Sequence, residues 1–322
     1  MWYPSLEGGR KLSFAEYLDY KNELKKPELL NKLSLGIGGS DAVFPEDSLE
    51  LLLNAKMQAV EDAEAKNGAF PLLVWSMRYG TVAYQNMLSE FLAGHGYIVA
   101  FPEAVPNGAY PWQLGSPAEK KAALVQELSD INKSIDYLKR LQNVNPTKIG
   151  LLSWSYAGES AMLTQMNNPD IDVVVGLSSI GFSNGVYLGD ELAGEIDIEK
   201  INVPYLMLFE QVAPNGRTRT LPDLFDALHA DSRYVSFREM AHGNFNVVEG
   251  MVPGVLRTDK VQPWSTGGEL AQIAYETICN LTVLFLDMVF KETDFESFDA
   301  HSSAMQVDLP EGFITVFSPQ KK

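Results

Sequence analysis

Residues 148–158 read KIGLLSWSYAG and place a short apolar run directly before a helical pattern. The run Lys148–Trp154 is typical of a strand that is buried on both faces of a parallel sheet. A helix is predicted over Tyr156–Met166, without an intervening loop. Ser155 is therefore expected at the carboxyl end of a strand, which is the edge where open α/β sheets bind their ligands.

The same alternation of strands and helices continues on both sides of this segment. Further buried strands are predicted over Phe70–Trp75, Tyr97–Phe101, Val173–Leu177, Tyr205–Phe209 and Tyr234–Phe237. Helices are predicted over Asp47–Ala65, Val82–Leu92, Pro117–Leu141 (after Ser116 as N-cap), Leu221–His229 and Leu270–Phe290, the last of which ends the fold. Strands that alternate with helices predict an α/β fold with a mostly parallel central sheet and helices on both faces.

We predict one domain over residues 1–322, although this length also suits two small domains. Residues 1–69 are expected to form an N-terminal extension packed on the core. Residues 182–202 are an insertion rich in glycine and acidic residues between two predicted strands. We expect this insertion to form a small cap over the site.

The residues around Ser155 satisfy the steric requirement of a sharp strand-to-helix turn. Such a turn, the nucleophile elbow, needs small residues two positions before and after the serine, and Ser153 and Ala157 occupy those positions. The elbow would present the Ser155 hydroxyl as a nucleophile and the Tyr156 amide to a developing oxyanion at a helix N-terminus. The alternative is that Ser155 is an ordinary helix N-cap.

A nucleophilic serine needs a base, and the chain has four histidines. His242 follows the last predicted strand, after Ser155 in chain order, as the base of such a site does. Of the others, His95 is interpreted as a helix cap, His229 as an exposed helical residue and His301 as part of a polar tail. We therefore predict His242 as the general base.

Three stretches resemble α/β hydrolases of the dienelactone hydrolase and platelet-activating-factor acetylhydrolase type. These are FPLLVWS at 70–76 with LAGHGYIV at 92–99, the elbow around Ser155, and Val203-Pro204 together with HGNF at 242–245. The residues Trp2-Tyr3-Pro4 also look like the end of an early strand in those relatives. The resemblance covers about residues 70–290 and implies the α/β-hydrolase fold, a serine esterase activity and a catalytic triad.

The resemblance also implies a second oxyanion amide, and here the sequence departs from the family. Where relatives carry His-Gly after the first core strand, this chain has Met77-Arg78, so that the amide falls near Tyr79 by position only. Arg78 is a candidate for binding an anionic substrate or the acidic cap, or else a solvated arginine. Trp154 is a candidate for binding an apolar or sugar-bearing substrate, or else a packing residue.

The triad acid is missing from both positions where relatives carry it. Those positions are occupied by Ala213 and Ser178, neither of which carries the charge that would stabilise a histidine. The nearest carboxylate is Glu210, at the end of the strand Tyr205–Phe209, and it is our predicted acid. Asp223 and Asp226, on the following predicted helix, are the weaker candidates.

These residues predict a hydrolase that cleaves a carboxylic ester through an acyl-enzyme. Because the acid is missing from its usual positions, a catalytically impaired protein that binds a ligand or partner is the alternative. An amidase or peptidase that uses the same site is a third interpretation. The predicted partner is a small-molecule ester.

The composition narrows the classes of partner and cofactor. A net charge of −17 argues against nucleic-acid binding and against an anionic membrane surface. No cofactor or metal is implied, because the chain has neither a phosphate-binding glycine loop nor a paired His-Glu metal motif. The single cysteine, Cys279, is interpreted as buried and structural rather than as a catalytic thiol. We also predict no stretch long and apolar enough to span a bilayer.

The oligomeric state and the compartment stay open at this stage. The N-terminus shows no basic region followed by an apolar run. The chain nevertheless opens abruptly on strand-like residues. It could therefore be secreted or periplasmic with its signal segment removed, or else cytoplasmic.

Overall fold

Seven strands of the computed structural model form one sheet. The model describes residues 1–6, 8–18, 46–76, 82–102, 116–179, 197, 200–211, 228–229, 231–252, 269–292, 296–305 and 309–319. The strands of the sheet are β3 (Phe70–Ser76), β4 (Ile98–Ala100), β5 (Val144–Trp154), β6 (Val173–Leu177), β7 (Tyr205–Glu210), β8 (Arg233–Phe237) and β9 (Ile314–Phe317). They lie side by side in the order β4-β3-β5-β6-β7-β8-β9. The first six are mutually parallel and β9 runs antiparallel to β8, so the predicted mostly parallel sheet is confirmed.

Helices cover both faces of this sheet. The described helices are α1 (Phe14–Leu18), α2 (Glu46–Asn54), α3 (Asn86–Gly94), α4 (Pro117–Leu138), α5 (Ala157–Asn167), α6 (Glu269–Lys291) and α7 (Glu296–Met305). Residues of α3 and α6 pack in one apolar cluster and residues of α4 and α5 in another. Neighbouring strand residues alternate between these clusters, with Leu151 in one and Leu152 in the other. Ser116 caps α4 as predicted, in a capping box with Glu119.

The N-terminal part of the chain differs from its prediction. The expected helix Asp47–Ala65 is wrong beyond Asn54, because the chain turns into strand β2 (Lys56–Val60), which pairs antiparallel with β1 (Lys11–Ser13). Trp2 forms a bridge with Val99 next to the main sheet and is buried in the core cluster of α3 and α6. Trp2 and buried residues of α1 and α2 thus share one apolar cluster with α3 and α6, whereas the definition of residues 1–69 as an extension packed on the core stays a prediction. The assignment of the whole chain to one domain stays a prediction.

Two other predicted helices also need correction. In place of Val82–Leu92, a short 3₁₀ helix (Val82–Tyr84) is followed by α3, because the backbone of Gln85 leaves the helical region with φ −130°. Helix α6 does not end the fold, since α7 and strand β9 follow it, and His301 lies on α7 rather than in a polar tail. The predicted helix Leu221–His229 and the insertion 182–202 lie largely outside the described residues.

Helix α6 also corrects the expectation about membrane spans. Over Leu270–Lys291 it is long and apolar enough to cross a bilayer, so the prediction that no stretch meets this criterion was wrong. However, 67% of its most apolar window is buried inside the molecule. Cys279, on the same helix, is buried as predicted, and burial raises the pKa of its thiol. These observations identify α6 as a helix of the protein core.

Truncation of a side chain on α6 tests its role in the core. Ile278 is fully buried, so Ile278→Ala should lower the free energy of unfolding by about 2–5 kcal/mol. The matched control is Asn280→Ala on the exposed side of the same helix, which should change it by about 0.5 kcal/mol or less. Urea denaturation followed by circular dichroism measures both. Equal effects of the two variants would contradict the core assignment.

Candidate active site

Ser155 lies in the sharp turn between β5 and α5. Its φ is +57°, a left-handed backbone conformation that non-glycine residues rarely adopt and that costs about 1–3 kcal/mol. The Ser155 amide donates to the Leu177 carbonyl (3.2 Å), and its carbonyl accepts from the Gly158 amide (3.2 Å). Ser153 and Ala157 are both buried, as the close approach of strand and helix requires. The helix N-cap is Tyr156 rather than Ser155.

The imidazole of His242 lies against the Ser155 hydroxyl. Nε2 of His242 is 2.9 Å from Oγ of Ser155, which is hydrogen-bonding distance. His242 begins a short 3₁₀ helix (His242–Phe245) in the loop after β8. The Asn244 side chain accepts from the Ala241 amide (2.9 Å), and the Gln85 side chain donates to the Phe245 carbonyl (3.0 Å). These bonds hold both sides of the histidine loop.

The other side of the His242 imidazole contacts Ser178, which is not among the predicted site residues. Oγ of Ser178 is 2.6 Å from Nδ1 of His242 and 2.5 Å from Oε2 of Glu210. Both Ser178 and Glu210 are fully buried. Ser178 is one of the two positions where the sequence lacks the expected acid. Its uncharged hydroxyl instead joins the predicted base to the predicted acid.

The order of the strands explains how these four residues meet. Ser155 follows β5, Ser178 follows β6, Glu210 ends β7 and His242 follows β8. These strands are consecutive neighbours in the sheet and run parallel, so their carboxyl ends lie along one edge. The Ser178 amide extends the pairing of β6 with β7 by donating to the Leu208 carbonyl (2.7 Å).

Trp154 packs against the base. Its ring is stacked on the His242 imidazole, with 5.2 Å between centroids and 17° between planes. Tyr84 also contacts Trp154, with 5.6 Å between ring centroids. The buried indole Nε1 has no hydrogen-bond partner in the described part of the chain. These contacts orient the imidazole, whereas the assignment of Trp154 to substrate binding stays a prediction.

The remaining predicted residues are less well located. Tyr156 lies at the N-terminus of α5, where the helix dipole favours negative charge. This position is compatible with an oxyanion role for its amide, which stays a prediction. Tyr79, Arg78, Ala213, Asp223 and Asp226 lie outside the described residues. Within the described ranges, no group of three or more metal-binding side chains could hold a metal ion.

Two partly buried carboxyl groups, Glu127 on α4 and Glu159 on α5, influence each other electrostatically and were not predicted. Burial, with the nearby Glu127 carboxylate as a second cause, raises the pKa of Glu159 on α5 to about 7. Oε2 of Glu159 is buried without a hydrogen-bond partner among the residues described here. Glu127, on α4, accepts a hydrogen bond from the Ser160 hydroxyl (3.0 Å). Local sequence carries no signal for this pair, since the proximity of the two carboxyl groups depends on how α4 packs against α5.

Replacement of Glu159 should change how stability depends on pH. Because the folded pKa of about 7 lies above the ordinary 4.5, the unfolded chain ionises first, and wild-type stability falls as pH rises between these values. Glu159→Gln removes this loss, so its stability relative to wild type should rise by about 3 kcal/mol from pH 4.5 to pH 8.

Urea denaturation at a series of pH values measures the effect. Asp136→Asn, at an exposed carboxyl on α4, is the control and should follow the wild-type pH dependence. A constant difference between Glu159→Gln and wild type at all pH values would contradict the interpretation.

Comparisons with known proteins agree with the fold. No family model matches the chain. A bovine (Bos taurus) S-formylglutathione hydrolase is 26% identical over 152 residues, which are 41% of this chain and 54% of that protein. The chain thus matches only about half the length of this relative.

The solved structure of a ferulic acid esterase from Streptomyces cinnamoneus superposes with a TM-score of 0.65 at 20% identity. The match covers 98% of this chain and 87% of that one. At this identity the likeness concerns the fold alone, and the predicted α/β-hydrolase fold is confirmed. The closer resemblance to dienelactone hydrolase and platelet-activating-factor acetylhydrolase stays a prediction.

Proposed function

We propose that this chain, whose fold is that of the α/β hydrolases, cleaves carboxylic esters by a serine-nucleophile mechanism. The observation that carries the proposal is the contact of 2.9 Å between Ser155 Oγ and His242 Nε2 at the carboxyl edge of the sheet. A serine hydroxyl is a weak nucleophile unless a base within this distance takes its proton. The left-handed turn at Ser155 adds support, because a serine without a role gains nothing from the strain.

The proposed reaction has two halves. In the first, Ser155 Oγ attacks the ester carbonyl carbon while His242 Nε2 takes the hydroxyl proton. The oxyanion of the tetrahedral intermediate is stabilised by the Tyr156 amide and, in this proposal, by the amide near Tyr79. The intermediate collapses with cleavage of the ester C–O bond, and His242 returns the proton to the departing alcohol.

The second half releases the acid. His242 removes a proton from water as the water attacks the acyl-enzyme, and the proton passes to Ser155 as the acid departs. The net change is ester plus water to acid plus alcohol. The reaction needs no oxidant, reductant or metal.

The position of Glu210 favours catalysis over simple ligand binding. The non-catalytic interpretation rests on the acid that is missing from its usual positions and on the altered oxyanion segment at Met77-Arg78. Glu210 is fully buried and hydrogen-bonded to Ser178, which contacts His242. A buried carboxylate on the far side of an imidazole favours the tautomer and the imidazolium that the base needs. A protein that only binds a ligand has no need of this arrangement.

The proposed substrate class is a small-molecule carboxylic ester. Both similar proteins support acyl hydrolysis by their names, one a hydrolase of S-formylglutathione and the other an esterase of ferulic acid. No contact among the described residues favours the amidase or peptidase interpretation.

Hydrolysis of p-nitrophenyl acetate by purified variants tests the proposal. Ser155→Ala and His242→Ala should each lower kcat by about 10³-fold or more, since nucleophile and base act as a unit. The matched control is Ser153→Ala, because the Ser153 hydroxyl contacts Ser179 (2.9 Å) rather than His242. This control should stay within about threefold of wild type. Hydrolysis that persists in Ser155→Ala would contradict the proposal.

Loss of the Glu210 charge tests its role as the acid. Glu210→Gln keeps the shape of the side chain and should lower kcat by about 10²–10⁴-fold with little change in KM. Steady-state kinetics on the folded variant, checked by circular dichroism, measures both constants. An unchanged kcat would show that Glu210 is not the acid.

A further inference from the structure

We propose that Ser178 is a positioning residue that couples His242 to Glu210, so that the site works through four side chains instead of three. The inference rests on the proposed esterase function for its kinetic consequence. Its structural basis is the pair of contacts made by one hydroxyl, 2.6 Å to His242 Nδ1 and 2.5 Å to Glu210 Oε2. The 2.5 Å between the Ser178 and Glu210 oxygens is short for a hydrogen bond, as expected when the acceptor is an ionised carboxylate.

The single proton of the hydroxyl fixes the direction of both bonds. A carboxylate can only accept, so the Ser178 proton is donated to Glu210. The Ser178 oxygen must then accept from His242, which places a proton on Nδ1. Nε2 is left with its lone pair facing the Ser155 hydroxyl. This is the tautomer that a general base requires.

The backbone around Ser178 holds the hydroxyl in place. Ser178 has φ +44°, a left-handed conformation, and its amide is fixed to the Leu208 carbonyl. The neighbouring Ser179 hydroxyl contacts Ser153 instead (2.9 Å). These two adjacent buried serines thus have different partners, and of the two it is Ser178 that contacts the base and the acid. Ser179 is therefore a matched control.

The Ser178 hydroxyl also couples the positive charge that forms on His242 to the negative charge of Glu210. When His242 accepts the proton from Ser155, the imidazolium strengthens its Nδ1–H bond to Ser178, and the polarised hydroxyl strengthens its own bond to Glu210. Without the hydroxyl, this path from the imidazolium to the carboxylate is lost, and Glu210 loses a hydrogen-bond donor in a buried site. The imidazolium becomes less stable, so the pKa of His242 should fall.

Kinetics of Ser178→Gly is the first test. Glycine removes the hydroxyl and tolerates the positive φ, so that the fold should be kept. We expect kcat for p-nitrophenyl acetate to fall by about 10²-fold with KM within about threefold, and the acid limb of the pH profile to move to lower pH. Ser179→Ala should leave both kcat and the profile as in wild type. A purely structural role for Ser178 would not shift the profile.

A double-mutant cycle tests the coupling to Glu210. If Ser178 and Glu210 act along one path, the variant that combines Ser178→Gly with Glu210→Gln should be no slower than the slower single variant, within about threefold. Losses that multiply would overturn the proposal. So would a Ser178→Gly variant with wild-type kcat and pH profile.

Histidine NMR keeps this inference separate from the esterase proposal, because it needs no activity. In protein labelled with ¹⁵N-histidine, the His242 signals, assigned by their absence in His242→Gln, should show an Nδ1-protonated imidazole in wild type. Ser178→Gly should show a mixture of tautomers. A fixed Nδ1–H tautomer that persists in Ser178→Gly would overturn the role of Ser178 even if the enzyme is an esterase. If wild type shows the predicted tautomer but no hydrolysis that depends on Ser155, the esterase proposal is contradicted and the positioning role of Ser178 is not.

Discussion

The hydrogen bond between the Ser155 hydroxyl and His242 Nε2 joins segments that follow β5 and β8, two strands that are not neighbours in the sheet. The two intervening strands, β6 and β7, supply Ser178 and Glu210 at the same edge. The bond therefore depends on the registers that make four parallel strands end together. A shift of two residues in any of these strands would move one side chain out of contact by about 6–7 Å. The apolar packing on both faces of the sheet fixes those registers. It therefore also fixes the positions of the four side chains at this edge.

Two of the five non-glycine residues that have positive φ in the described part of the chain lie at this edge. Ser155 and Ser178 both have positive φ, at the ends of adjacent strands, and both amides bond to the next strand, at Leu177 and Leu208. Side chains held this way have little freedom to move, so the fold itself sets the distance between Ser155 and His242. Preorganisation of this kind lowers the reorganisation that catalysis requires. Stability lost to the two turns is offset by the buried core beneath them.

Much of this arrangement could be predicted from local sequence. Continuous apolar runs located the strands β5 to β8 to within a few residues, and the small residues Ser153 and Ala157 identified the turn at Ser155. His242 followed from its place after the last parallel strand. Glu210 was found because it ends a predicted strand. Each of these inferences needs only residues that are close in sequence.

Features that depend on contacts between distant segments were missed. The contacts of Ser178 follow from the adjacency of β6 and β7 and from their register, and a serine after a strand carries no such signal by itself. The Glu127–Glu159 pair needs the packing of α4 on α5. The error at residues 55–65 arose because a helical pattern continued past Asn54, whereas pairing with β1 imposes a strand there. Tertiary contacts override local preference in such cases.

Covalent labelling would show whether Ser155 is the activated nucleophile of the proposed reaction. The wild-type protein is treated with a fluorophosphonate, and its intact mass and the modified peptide are then determined. We expect a single adduct on Ser155, no adduct in Ser155→Ala, and slow labelling in His242→Ala. A folded wild-type protein that takes no label, or that is labelled on another serine, would show that Ser155 is not the nucleophile.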